Sequence, residues 1–269
     1  MESQDLVVLK DRLRTTWNAG DYGIIARGLK RSAEEFLKRA AVSPGDRMLD
    51  VACGAGQLTI PAARSGAKVA GIDIAENWIT QARERARTEN LDIRFDVGDA
   101  EDMPYEDASF DVVVSLIGAM FTPRPEQITS EMARVCRSGG RLIMGNWTPE
   151  GFVGKFFATV AAHVPPPEMP SPLEWGKEMV VRKRLSRVTS ELQLTRQMLR
   201  FDYAMTPSEL AKHYLQFFGP TKQAVAALDS QGRAALRDDL VQLWSTYNEA
   251  TDGTTQVNAE ILKVEATLQ

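Results

Sequence analysis

Hydrophobic residues recur along the chain in short apolar runs that alternate with helical spacings. Five runs have the length and the bounding turns of buried strands, and they lie near residues 47–52, 68–73, 92–97, 110–116 and 140–147. Residues 75–90 place Trp78, Ile79 and Ala82 on one helical face, and residues 129–136 predict another helix. This alternation predicts an α/β fold with a mostly parallel sheet and helices on both faces.

The segments on either side of this core have a different pattern. Residues 1–41 predict two helices separated by a turn at 18–23. Beyond residue 147 the pattern predicts, in order, a helix over 153–163, a proline-stiffened connection over 165–172, a strand over 188–203, helices over 207–218 and 233–247, and a strand over 259–268. We therefore predict three parts: a helical cap over 1–43, a cofactor-binding core over 44–149, and a C-terminal part over 150–269 with a substrate lid and a helical insertion.

The first predicted strand runs into a turn with two glycines, Gly54 and Gly56. Glycine lets the backbone turn tightly and approach a ligand, because it has no Cβ atom. A dinucleotide fingerprint has glycine or alanine three positions later, where this chain has Thr59. Asp50 near the strand end would repel a pyrophosphate and attract an ammonium group. The turn therefore favours S-adenosylmethionine, whose methionine moiety carries an ammonium group, over a dinucleotide.

Two further acids follow the next two predicted strands. Asp73 ends the second strand, where a carboxylate can accept hydrogen bonds from the two hydroxyls of a ribose. Asp99 follows the third strand, and a carboxylate there can accept a hydrogen bond from an adenine amino group. Alone, Asp99 is typical of an ordinary turn. Its order and spacing relative to Asp50 and Asp73 favour the binding role.

Together these motifs resemble those of the class I S-adenosylmethionine-dependent methyltransferases, in particular the UbiE-like small-molecule group. The matching stretches are residues 49–57, 70–74, 97–103, 110–115 and 134–142, within a resemblance that spans residues 45–147. Ser138 stands where the family usually has proline. The resemblance implies a Rossmann-like fold with a mostly parallel seven-stranded sheet, N-terminal helices and a helical lid or insertion. It also implies that the last two strands form an antiparallel hairpin at one edge.

The resemblance also implies a cofactor and the residues that hold it. The cofactor is S-adenosyl-L-methionine, which leaves as S-adenosyl-L-homocysteine after methyl transfer. The residues expected to bind it are Asp50, Ala52, Gly54, Gly56, Gln57, Asp73, Ile74, Asp99, Ala100 and Ser115. The residues themselves give no reason to expect a metal, because neither Cys53 nor Cys136 has a partner at metal-ligand spacing.

Large side chains near the same sheet edge are candidates for an acceptor pocket. They are Trp17, Met120, Phe121, Trp147, Trp175 and Phe217. Aromatic ring faces attract a sulfonium and suit an apolar acceptor, although each residue could instead anchor its own segment. Tyr22 and His213 are candidate general bases, with a packing role as the alternative for both. In-line methyl transfer needs a base only if the acceptor carries a proton that must leave.

Composition narrows the class of protein further. The chain has 269 residues, of which 43% are hydrophobic, and a net charge of −4. We therefore expect no nucleic-acid partner, since such proteins usually present a basic face. Arg182, Lys183, Arg184 and Arg187 form a local basic cluster, which is either a solvated face or a holder of a substrate carboxylate or phosphate. No stretch has the length of a membrane span and the residues after Met1 are polar, so we expect a cytoplasmic protein. The oligomeric state stays open.

The sequence thus predicts an enzyme that transfers a methyl group from S-adenosylmethionine to a small molecule, at oxygen, nitrogen, carbon or sulfur. Three alternatives stay open: methylation of RNA or protein, a nucleotide-dependent oxidoreductase, and a non-catalytic module that keeps a cofactor site. The acidic balance disfavours the first. So does the sequence 115–118, which lacks the asparagine-proline-proline-aromatic motif of base or amide methylation. Asp50 and Thr59 disfavour the oxidoreductase.

Overall fold

Seven strands form one continuous sheet in the computed structural model of this protein. The structure describes residues 3–269 and their side chains, except those of Ser3 and Tyr22. The strands are β1 (Arg47–Val51), β2 (Lys68–Asp73), β3 (Arg94–Val97), β4 (Phe110–Leu116), β5 (Cys136–Trp147), β6 (Thr189–Tyr203) and β7 (Thr255–Leu268). Their order is β3-β2-β1-β4-β5-β7-β6. Strand β7 runs antiparallel to both neighbours, and the other pairs are parallel. The predicted fold class is confirmed.

Eleven α-helices are described in residues 3–269. They are α1 (Ser3–Ala19), α2 (Tyr22–Ile25), α3 (Lys30–Ala40), α4 (Thr59–Arg64), α5 (Glu76–Thr88), α6 (Pro125–Val135), α7 (Phe152–His163), α8 (Glu178–Leu185), α9 (Pro207–Phe217), α10 (Gly219–Ala227) and α11 (Ser230–Tyr247). Short 3-10 turns occupy Ala26–Leu29, Ala119–Phe121 and Pro172–Gly176. Helices α9 to α11 lie between β6 and β7 in the chain, as the sequence predicts for an insertion in the last hairpin.

The central parallel strands are buried on both faces, which explains their nearly continuous apolar sequences. Leu49 of β1, Val113 of β4 and Leu142 of β5 are fully buried. The C-terminal strand β7 pairs directly with β5, so residues beyond 150 complete the same sheet. Within residues 3–269, no helix combines the length and the apolar character needed to span a membrane.

The second N-terminal helix departs from the sequence prediction, because it is divided into α2, a 3-10 turn and α3. Tyr203 of β6 gives the physical reason. Its hydroxyl donates a hydrogen bond of 2.6 Å to the carbonyl oxygen of Ile25. Its ring packs on Gly28 so closely that a Cβ atom there would overlap a ring carbon. Packing against a distant strand therefore interrupts the helix.

Helices α8 and α10 are absent from the sequence prediction. Helix α8 carries Arg182, Lys183 and Arg184 of the basic cluster. Helix α10 follows α9 after the single residue Phe218, where glycine and proline suggest a helix end. Pro220 instead lies in the first turn of α10, where a missing backbone N–H leaves no intrahelical hydrogen bond unmade.

Candidate active site

A cavity opens at the carboxyl ends of β1, β2 and β4, where the strand order reverses. The turn after β1, the end of β2 and the loops after β3 and β4 line one part of it. Helix α1 contributes Lys10, Leu13 and Trp17, and helices α7, α9 and α11 contribute the opposite wall. The cavity therefore lies between the predicted cofactor edge of the sheet and the predicted lid.

The turn after β1 has a backbone shape that favours glycine. The φ angles of Ala52, Gly54 and Gly56 are 56°, 55° and 80°. The amide of Gly54 donates a hydrogen bond of 2.8 Å to Asp73 of β2. Gly118, after β4, lies so close that a Cβ atom there would be 2.5 Å from the Cβ atom of Ala52. Neighbouring elements therefore hold the turn in shape.

Asp50 is a buried carboxylate that lines the cavity and is only 2% exposed. The hydroxyl of Thr59 donates a hydrogen bond of 2.6 Å to it. This contact explains a threonine where a dinucleotide fingerprint has a small apolar residue. The pKa of Asp50 is raised to about 7, chiefly by burial. The hydrogen bond from Thr59 acts in the opposite direction, and the negative charge of Asp73 adds to the increase. A carboxylate in this position is stabilised by a cationic partner.

Asp73 is also buried at the cavity, and its two oxygens accept hydrogen bonds from backbone amides. Gly54 donates to one oxygen at 2.8 Å and Ala75 to the other at 2.9 Å. Burial raises the pKa of Asp73 to about 6, and these amides lower it. A carboxylate offers about four lone-pair positions, so acceptor capacity remains for hydroxyl groups of a ligand.

Asp99 joins the same part of the cavity and is paired with Lys10 of α1. Lys10 also lies 2.7 Å from an oxygen of Glu101, which is fully buried. Arg124 contacts that same carboxylate through its Nε atom at 2.8 Å. These ion pairs fasten α1 over the loop that carries Asp99. We call this part of the cavity, with Asp50 and Asp73, the acidic part.

The opposite wall consists of packed aromatic rings. Trp147 at the end of β5 stacks on Phe201, with ring centroids 5.7 Å apart. Phe152 contacts Trp244 at 4.6 Å, and Tyr214 lies 5.1 Å from the same indole. We call this the aromatic part, and its main members are Trp147, Phe152, Phe156, Phe201, Tyr214, Phe218 and Trp244.

The two parts differ sharply in charge. Among the described lining residues, those contributed by α7, β6, α9 and α11 are all uncharged. The charged lining residues, Lys10, Asp50, Asp73 and Asp99, all belong to the acidic part. The cavity can therefore hold a polar, partly cationic group at one end and an apolar neutral group at the other.

Comparison with known proteins shows the family of this chain. A family model described as a methyltransferase domain matches residues 49–144. The uncharacterized protein Rv1403c of Mycobacterium tuberculosis is 35% identical over 239 residues, which cover 87% of each chain. Methyltransferase GfsG of Streptomyces halstedii is 38% identical over 130 residues, or 47% of each chain. The protein belongs to the class I S-adenosylmethionine-dependent methyltransferases.

Solved structures share the fold of this methyltransferase at low sequence identity. A putative methyltransferase of Bacillus halodurans, BH2331, is 21% identical with a TM-score of 0.59, over 87% of this chain and 97% of that one. Geranyl diphosphate methyltransferase, solved with S-adenosylmethionine, is 20% identical with a TM-score of 0.53, over 88% and 85% of the chains. None of these comparisons separates the UbiE-like group from others, so the subgroup stays a prediction.

Most residues expected to bind the cofactor of the methyltransferase lie together in the cavity. Those that line it are Asp50, Ala52, Gly54, Gln57, Asp73, Ile74, Asp99 and Ala100. Gly56 and Ser115 are not among the described lining residues. Gly56 shapes the turn through its φ angle. Ser115 donates to the carbonyl of Val51 at 2.8 Å and accepts from the amide of Ala119 at 2.9 Å, so it fixes the loop after β4.

The acceptor-pocket candidates divide into two groups. Trp17, Phe121 and Trp147 line the cavity, whereas Met120, Trp175 and Phe217 are not among its described lining residues. Met120 is buried in the core. Trp175 is buried beneath the guanidinium of Arg184, which lies 4.6 Å from its ring centroid. At the end of α9 the next residue, Phe218, lines the cavity in place of Phe217.

Of the two candidate bases, His213 is not among the described residues that line the cavity. The ring of His213 packs at 4.9 Å on that of Phe217, and burial, followed by the charge of Arg27, lowers its pKa. The side chain of Tyr22 lies outside the described part of the structure. The basic cluster at 182–187 contributes no residue to the described cavity lining. No cluster of possible metal ligands occurs among the described residues.

Several residues that line the cavity of the methyltransferase are not predicted from the sequence. They are Lys10, Phe152, Phe156, Phe201, Tyr214 and Trp244. The phenylalanines of α7 lie four residues apart on one helical face, a signal that marks a buried stripe without saying what it packs against. Lys10 carries no signal, because its partners are 89 and 91 positions away in the chain.

Proposed function

We propose that this methyltransferase transfers the methyl group of S-adenosylmethionine to a neutral, largely apolar small molecule. The observation that carries the proposal is the single cavity whose acidic part adjoins a wall of uncharged aromatic rings. A polar cofactor suits the first part and an apolar acceptor suits the second. The acceptor atom is left open, since none of these contacts selects it.

The residues of the acidic part fit the chemical groups of the cofactor. Asp73 has lone pairs left for ribose hydroxyls, and Asp99 has an oxygen suited to the adenine amino group. Asp50 is raised to a pKa of about 7 by burial, so an ammonium group beside it would restore its charge. The positive φ angles of the glycine turn keep the backbone close to this space. We assign the three carboxylates to these three groups.

The aromatic part would position the acceptor and exclude water. When bound, the cofactor supplies a methyl group on a cationic sulfur, which an aligned acceptor atom displaces in line. Alignment of this kind contributes on the order of 7–11 kcal/mol to the lowering of a barrier. An anionic acceptor would be disfavoured here, because the rings offer a negatively charged group neither an ion pair nor water.

Calorimetric titration with S-adenosylhomocysteine, with NADH in parallel, tests the cofactor assignment. We expect binding of S-adenosylhomocysteine and none of NADH. Transfer of radiolabelled methyl from S-adenosylmethionine is then measured over paired acceptors that differ only by a carboxylate, with neutral members expected to react. Binding of NADH alone would overturn the cofactor assignment. Methylation of only the carboxylate-bearing members would overturn the acceptor assignment while leaving the cofactor assignment intact.

A further inference from the structure

Trp244 of α11 is a fully buried residue that lines the aromatic part of the cavity. Its indole Nε1 atom is buried and has no hydrogen-bond partner among the described residues. An indole N–H is a donor only, and leaving a buried donor unpaired is unfavourable. The wall of this cavity therefore contains a buried donor, the indole N–H of Trp244, that has no partner among the described residues.

The side chains around Trp244 are aromatic and uncharged. Its ring contacts those of Phe152, Phe201 and Tyr214, at 4.6, 5.7 and 5.1 Å between centroids. The described lining residues of α7, β6, α9 and α11 include no carboxylate. A ligand in the aromatic part would thus meet an almost entirely apolar wall in which the indole N–H of Trp244 is a buried, unpaired donor. Buried polar groups in a ligand pocket fix the orientation of what it binds.

An unpaired indole N–H is not by itself a sign of a ligand in this protein. The Nε1 atom of Trp175 is also buried without a partner among the described residues. Trp175, however, is absent from the described cavity lining and is covered by the guanidinium of Arg184. Trp244 therefore differs from Trp175 in that it lines the cavity, whereas both have an unpaired indole N–H. The two residues form a matched pair for experiment.

We propose that the indole N–H of Trp244 donates a hydrogen bond to an oxygen atom of the methyl acceptor. The acceptor is then a neutral, largely hydrocarbon molecule that carries a carbonyl, ether or hydroxyl oxygen. This inference rests on the proposed function, because it takes the aromatic part to be the acceptor site. Trp244 determines specificity and position in this scheme and takes no part in proton transfer.

Two ligands of nearly the same shape test the proposal: 2-acetylnaphthalene, which has a carbonyl oxygen, and 2-isopropenylnaphthalene, which has a methylene group there. Their affinities are measured calorimetrically on the full-length protein saturated with S-adenosylhomocysteine. The proteins compared are the wild type, Trp244→Phe and Trp175→Phe. Each substitution removes an indole N–H and keeps an aromatic ring.

The expected result is a change in the ratio of the two affinities. Trp244→Phe should reduce the preference for the ketone over the alkene roughly 3–10-fold, the effect of one neutral hydrogen bond. Trp175→Phe should leave the ratio unchanged. An unchanged ratio in Trp244→Phe would overturn the proposal and assign the N–H to a ring face, such as that of Phe201. Absence of binding of both ligands to the wild type would overturn it as well.

A measurement on the unmodified chain covers the case in which Trp244→Phe fails to fold. In protein labelled with 15N-tryptophan, the ketone should shift one indole N–H proton downfield and the alkene should not. The Trp17→Phe, Trp78→Phe, Trp147→Phe and Trp175→Phe proteins exclude the other four tryptophans as the source of that signal. Equal shifts with both ligands would refute the hydrogen bond. Loss of S-adenosylhomocysteine binding would instead count against the cofactor assignment, so the two failures are distinguishable.

Discussion

Replacement of Asp50 by asparagine should stabilise the ligand-free protein at alkaline pH while weakening cofactor binding. Burial raises the pKa of this carboxyl from 3.8 to about 7, so its ionisation opposes folding. Below pH 3.8 the group is protonated in both states and contributes nothing. As the pH rises, the unfolded chain ionises first, and the destabilisation grows until the pH exceeds the folded pKa of about 7.

The magnitude follows from the difference between the two pKa values. With these pKa values, ionisation of Asp50 lowers the free energy of unfolding by roughly 4 kcal/mol at pH 8 and by roughly 1.7 kcal/mol at pH 5. The advantage of Asp50→Asn over the wild type should therefore increase by about 2–3 kcal/mol between these pH values. The new amide beside Thr59 can also change the stability, but a change that is independent of pH is the same at both pH values and cancels in this difference.

Urea unfolding of both ligand-free proteins at pH 5 and pH 8 measures this increase directly. Asp111→Asn provides a matched control, because Arg47 and Arg137 hold the pKa of Asp111 below its usual range. Asp111 is therefore ionised at both pH values in both states, and its replacement should destabilise the protein equally at each. If Asp50→Asn and the wild type show the same pH dependence, the burial argument for Asp50 is wrong.

Three other perturbations test the remaining parts of the site. Asp73→Asn should weaken S-adenosylhomocysteine binding roughly 10–100-fold in calorimetry, since ribose hydroxyls lose a charged acceptor; unchanged affinity in a folded variant would contradict the assignment. Gly118→Ala should also weaken binding, because its Cβ atom would lie 2.5 Å from that of Ala52 and displace the turn; wild-type affinity would show that the turn tolerates this shift. Trp147→Ala should leave cofactor affinity nearly intact and alter the range of acceptors in the methyl-transfer assay, whereas a large loss of affinity would place Trp147 in the cofactor site.

The three carboxylates of the acidic part could be predicted from sequence because each of them has a local marker. Asp50 and Asp73 belong to apolar strands, and the glycines of the turn are adjacent in the chain to the first of them. The rule that ligands bind at the carboxyl ends of parallel strands then brings these segments together. Asp99 follows the same rule, but its pairing with Lys10 does not. That contact depends on how α1 crosses the sheet edge, which no local pattern encodes.

The aromatic part could not be predicted with the same success, because packing rather than pattern decides which rings face the cavity. Trp175 and Trp244 are both buried tryptophans in the C-terminal part, and only the second lines the cavity. Phe217 and Phe218 are neighbours, and the end of α9 turns the second toward the cavity lining. The choice between these neighbours is set by the extended backbone of Phe218 between α9 and α10, which the sequence pattern does not predict.

The division of charge in the cavity bears on the reaction itself. Methyl transfer to a neutral acceptor moves positive charge from sulfur toward the acceptor, and hence from the acidic part toward the aromatic part. The aromatic part has no carboxylate among its described lining residues, so it cannot neutralise that charge by an ion pair. The ring faces of Trp147 and Phe201 can stabilise a cation near them instead. The described residues of that wall supply no carboxylate or imidazole base, and none is needed where the acceptor carries no proton that must leave. On this view an acceptor whose methylated form stays cationic needs no base on this wall, because the ring faces stabilise the charge that it gains.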